Sequence, residues 1–164
     1  MNTLKQKRRF TLTATAAIAL ALAGWSTLLH ADNVTVLLGG GEEVPQVNTK
    51  ASGNGKILVT PNKLVSGTIK TTGILGTAAH IHSGRPGQNG PVVVPLSKTG
   101  DNIWSVPAGT KLTDAAYKDF EAGNLYINIH SEAHPDGEIR SQLVNPPWLK
   151  DLPKDVSNGG GGGY

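Results

Sequence analysis

From residue 34 onward, short apolar runs alternate with turn residues at a spacing of eight to twelve positions. That rhythm marks a chain of strands rather than helices. Period-two alternation is clearest at 64–70, where Val65, Gly67 and Ile69 share one face and Leu64, Ser66 and Thr68 the other. Ile57 and Val59 share a face in the same way. The pattern predicts strands at 34–38, 51–60, 64–70, 77–82, 91–96, 102–106, 125–130 and 137–144, with Gly39-Gly40-Gly41 ending the first. One segment breaks the rhythm. Over 113–122, Thr113 can cap a helix and Gly123 can end it, with Leu112, Ala116, Tyr117 and Phe120 as a buried stripe. The expectation is an all-β antiparallel sandwich or barrel with one short helix plugging an end.

The N-terminal residues follow a different pattern. Lys5, Lys7, Arg8 and Arg9 precede an apolar stretch over 12–29, and Leu29-His30-Ala31 offers a small residue before the polar start at Asp32. This is the pattern of a secretory signal peptide cleaved after Ala31; the alternative is an uncleaved anchor, for which the run is barely long enough. Arg8-Arg9 before Phe10 and Leu12 hints at twin-arginine export. The organisation expected is therefore a signal peptide at 1–31, one domain at 32–145, and a Pro- and Gly-rich tail at 146–164. No internal repeat is present.

Composition narrows the chemistry. The whole chain has 15 basic and 12 acidic residues, a net charge of +3. Four of the basic residues lie in 1–31, leaving 11 basic against 12 acidic, so the mature domain is nearly neutral and carries no nucleic-acid footprint. Once the leader is removed, nothing holds the chain to a membrane, and nothing sets its oligomeric state. Cysteine is absent and the single Met is Met1. Without sulfur, thiolate zinc sites, iron–sulfur clusters, blue copper and Met-rich Cu(I) carriers are excluded. Any metal must sit on nitrogen and oxygen.

Beyond the leader there are four histidines, and all fall in two short windows. His80-Ile81-His82 lies on a predicted strand, so both imidazoles face one way while Ile81 turns to the core. His130 ends another strand, and His134 lies in the turn that follows, ahead of Pro135-Asp136-Gly137. Taken singly, these windows read as a surface histidine pair and a polar hairpin turn. Taken together they suggest one ion on His80, His82, His130 and His134. All-imidazole ligation favours copper, with zinc as the alternative. Arg140, just after the hairpin, is either a fixed charge for an anion or an exposed strand arginine. Glu42 and Glu43 read first as a solvated turn, otherwise as acceptors that orient an imidazole. Asn128 shares a face with His130 and could do the same. The loop 85–91 is expected to border the site but holds no ligand type beyond the Asn and Gln amides. Ser83 and Ser131 neighbour histidines without completing a triad, and 39–41 lacks the Lys and Ser or Thr of a phosphate loop.

Five separated motifs occur in order: Glu42-Glu43-Val44-Pro45, the stretch 73–82 ending Ala-Ala-His-Ile-His, Gly90-Pro91-Val92-Val93, the stretch 122–130, and His134-Pro135-Asp136-Gly137-Glu138-Ile139-Arg140. Across about 34–144 the chain resembles CHRD domains, the module named after chordin. The resemblance implies a Greek-key or immunoglobulin-like β-sandwich and, for most members, no established activity. A more distant similarity joins 73–82 and 125–130 to the copper-binding strands of Cu,Zn superoxide dismutases. That resemblance implies His80, His82 and His130 as copper ligands and Arg140 as the arginine that guides superoxide. The chain departs from that family in three ways. No histidine lies between Ser83 and Ile129, so the bridging histidine and zinc subsite are missing; the disulfide is missing too; and His134, which has no counterpart, is free to supply a fourth nitrogen. The function expected is a periplasmic or secreted copper-only superoxide dismutase, with superoxide as its small-molecule partner. The alternatives are a copper or zinc module for buffering or delivery, and a metal-free interaction domain.

Overall fold

The computed structural model describes residues 31–144; the leader and the tail expected from the sequence lie outside them. Among the described residues nine strands and one helix follow one another: β1 (Asp32–Gly39), β2 (Ser52–Val59), β3 (Val65–Thr72), β4 (Gly76–Ser83), β5 (Val92–Pro95), β6 (Ser97–Gly100), β7 (Ile103–Ser105), α1 (Asp114–Glu121), β8 (Leu125–Ser131) and β9 (Ile139–Gln142). A 3-10 turn, Gly40–Glu42, follows β1.

Every strand pairing is antiparallel, and the strands form one ladder in the order β5-β4-β8-β9-β1-β2-β3-β7-β6. The two terminal strands of that ladder, β5 and β6, are joined by the single residue Leu96. In a flat sheet, nine strands at about 4.8 Å spacing would put those edges about 38 Å apart. One linking residue spans no more than about 7 Å. The sheet therefore curls until its edges are neighbours. The all-β, antiparallel architecture with one short helix is as the sequence implies. The two layers of the expected sandwich, however, are halves of one nearly closed sheet, joined at β1 and β9 by the single register pair Gly39–Arg140.

The core lies inside the curl. In β1, Val34, Val36 and Leu38 are buried while Leu37 between them is 71% exposed. Val65 and Ile69 of β3, Ala79 and Ile81 of β4, and Ile127 and Ile129 of β8 join the same core. The halves touch closely. A side chain added at Gly76 of β4 would come within 2.9 Å of Trp104 on β7. The helix closes one end as expected: Thr113 Oγ1 accepts the Ala116 N–H at 3.1 Å, Gly123 takes φ of +72°, and Leu112, Ala116 and Phe120 are buried. Strand β6, Ser-Lys-Thr-Gly, was not predicted: it has no apolar alternation, and only its pairing with β7 makes it a strand.

Candidate metal centre

The face of β4, β8 and β9 turned away from the core carries the site. Register fixes which side chains are neighbours there. His80 pairs with Asn128 and Asn128 with Arg140, His82 pairs with Tyr126 and Tyr126 with Gln142, and Ala78 pairs with His130. Because paired residues share a face and alternate residues return to it, the three histidines, Tyr126, Asn128, Arg140 and Gln142 all lie on this side. Residues 84–91 and the segment around Glu43 cover part of it, so Tyr126, Asn128 and Arg140 are buried although they face away from the core.

His80, His82 and His130 each offer one ring nitrogen, and the three atoms lie within 4.8 Å of one another. His80 Nδ1 is 3.0 Å from His130 Nε2. The other two rings are fixed from behind. His82 Nδ1 is 2.9 Å from the Gly90 carbonyl, and His130 Nδ1 is 2.8 Å from the Pro135 carbonyl. A carbonyl only accepts, so both Nδ1 atoms carry a proton, and Nε2 is the nitrogen of each ring left to ligate. His82 Nε2 is buried and has no hydrogen-bond partner. A buried lone pair with no donor is costly unless something binds it, and a metal ion would do so. Burial, and then the neighbouring histidines, hold His80 below the ordinary imidazole range. Burial, only partly offset by the Gly90 hydrogen bond, does the same to His82. Both are thus in the neutral form that metal ligation requires. The donor set is all nitrogen, which suits copper or zinc.

His134 does not join this group. Its turn is closed by paired backbone bonds of 3.2 Å between Ser131 and His134, which carry it past the end of β8, off the alternation that aligns the other three. Arg140 is on the right face but is not an open charge at the mouth of the site. It is 1% exposed. Its Nη1 donates to Asn89 Oδ1 at 3.3 Å, and its Nη2 to the Arg85 and Gln88 carbonyls and Gln142 Oε1 at 3.1–3.3 Å. Its Cζ lies 3.5 Å from the centre of the Tyr126 ring. The loop over this face and Gln142 of β9 share those donors.

Glu42 and Glu43 part company. Glu42 Oε2 accepts the Gln142 N–H at 3.0 Å. Glu43, read from the sequence as part of a solvated turn, is 4% exposed, and its Oε1 has no partner. Burial pushes its carboxyl up to about 7, against the opposing charge of Arg140. It packs on Gly137, as does the Asn128 amide: a side chain added at Gly137 would meet Glu43 Oε1 at 2.7 Å and Asn128 Nδ2 at 2.8 Å. Glu43 also lines a cavity of about 570 Å³ together with Glu42, Pro45, Pro86, Arg140 and Gln142.

The sequence reading missed Tyr126 and the two carbonyls. Tyr126 stacks on His82 with ring centres 4.8 Å apart and planes 6° apart. The alternation Tyr126, Asn128, His130 could have found it, since all three share a face. The Gly90 and Pro135 carbonyls leave no side-chain signal.

The family model described as the CHRD domain matches residues 34–143. No curated protein and no solved structure matches the chain.

Proposed function

The chain belongs to the CHRD family, and from that premise we propose that it is an exported protein that holds a single copper ion on His80, His82 and His130 and dismutates superoxide there. The observation that carries the metal reading is the buried, partnerless Nε2 of His82 on a ring clustered with two further imidazoles. Bound copper would supply reversible one-electron exchange. The chain's own part is to present three imidazoles, to fix two of them through backbone carbonyls, and to leave His80 and His130 only half-buried, so that a small anion can approach. Superoxide chemistry is supported by the positional likeness of the two histidine strands to those of superoxide dismutases.

The burial of Arg140 favours a second reading, in which the site holds copper or zinc for buffering or delivery without turnover. Arg140, the arginine expected to draw the anion in, has its guanidinium buried under the loop and offers no open charge.

Titration of the metal-free protein with Cu(II) and with Zn(II), followed by electron paramagnetic resonance of the copper form, tests the site. Single Ala variants of His80, His82 or His130 should each lose the nitrogen-ligated signal, and His134→Ala should keep it. An unchanged spectrum in His82→Ala would refute the assignment. Superoxide decay in stopped flow, with free copper chelated, then separates the two readings. Decay no faster than in the metal-free control leaves the storage reading.

A further inference from the structure

His82 can serve an ion only if its Nε2 is turned toward His80 and His130. Residues that would not touch the ion decide that orientation. The ring is gripped at Nδ1 by the Gly90 carbonyl at 2.9 Å and across its plane by Tyr126. Tyr126 in turn places Gly90, because its Oη accepts the Gly90 N–H at 3.2 Å. Gly90 has no room for a side chain: an added Cβ would fall 1.7 Å from the Ser83 carbonyl. The loop that delivers Gly90 is pinned from below by one residue. Arg140 donates to the Arg85 and Gln88 carbonyls and to Asn89 Oδ1, three anchor points within residues 85–89, and its guanidinium packs on Tyr126. Asn89 Nδ2 continues the tie to the Val44 carbonyl at 2.7 Å.

We infer that Arg140, with Tyr126, is a positioning residue: it clamps residues 85–90 so that the Gly90 carbonyl holds His82 in one tautomer with Nε2 presented to the other two imidazoles. The inference rests on the metal reading for its purpose, though not for its geometry. It replaces the role of a steering charge with that of a planar donor fork. Only arginine supplies several N–H donors in fixed directions; lysine keeps the charge but concentrates its donors at one flexible tip.

That difference makes Arg140→Lys the deciding variant. A steering charge would survive the change, and a clamp would not. Partners that orient a ligating histidine are worth 10- to 100-fold in metal affinity on the order of magnitude. We expect Arg140→Lys to weaken Cu(II) binding by about that factor, measured by competition with a chelator. In the metal-free protein, long-range 15N–1H spectra should show the single His82 tautomer of the parent giving way to a mixture. Tyr126→Phe, which removes only the hydroxyl that holds Gly90, should shift both readouts the same way by a smaller factor. Unchanged affinity together with a single tautomer in a folded Arg140→Lys would overturn the inference. If that variant does not fold, the same result in Tyr126→Phe overturns it. A parent protein that binds neither Cu(II) nor Zn(II) would strike the metal reading alone, and the tautomer spectra would still decide the clamp.

Discussion

Replacing Glu43 by Gln removes a charge that the fold accommodates badly. The Glu43 carboxyl is raised from 4.5 to about 7 because burial outweighs the attraction of Arg140. Between those two values the folded state keeps a proton that the unfolded chain has released, so stability falls as pH rises, and the loss is complete above about 7. At about 1.4 kcal/mol per unit, the shift amounts to roughly 3 kcal/mol. Glutamine has the shape of the protonated acid and cannot ionise. Glu43→Gln should therefore match the parent near pH 4 and exceed it by up to about 3 kcal/mol near pH 8. Urea unfolding of the metal-free protein at several pH values reads this directly. The histidines contribute with the opposite sign, and the difference between variant and parent cancels them. A difference that stays constant with pH, or a parent more stable than the variant at pH 8, would refute the reasoning. Either result would mean that Glu43 is ionised throughout and serves Arg140 as a counter-ion.

Two further outcomes are expected. Because His80 and His82 are both held below the ordinary imidazole range, copper affinity should begin to fall only at a pH below about 6.5, the value for a free imidazole; a decline that starts above it would contradict the neutral, buried ligands. Gly137→Ala should destabilise the domain by about 1–3 kcal/mol, since Gly137 holds φ at +133° and a methyl group would press on Glu43 and Asn128. Thermal unfolding at an unchanged midpoint would contradict that packing.

Local pattern alone was enough for eight of the nine strands, the helix and the clustering of histidines. Period-two alternation placed Ile81 inside and His80 and His82 together outside, because side-chain direction along a strand is a property of the backbone itself. Thr113 and Gly123 bounded the helix for an equally local reason. Conversely, β6 has no such signal and exists because β7 offers it a partner. Whether two sheets or one curled sheet forms depends on how the edges meet at Leu96, which no window of sequence contains. The site divides along the same line. His80, His82 and His130 follow from strand alternation and the pairing of β4 with β8, whereas His134, equally close in sequence, is carried away by its own turn. Charge at Arg140 and Glu43 was plain from the sequence, but its role was not. Burial and hydrogen-bond partners come from loops that return from elsewhere in the chain, and they turn an apparent steering cation into a loop clamp and an apparent solvated acid into a buried one with a raised pKa. The sequence by itself determined which residues share a face; only the tertiary structure decided what covers that face, because desolvation depends on neighbours distant along the chain.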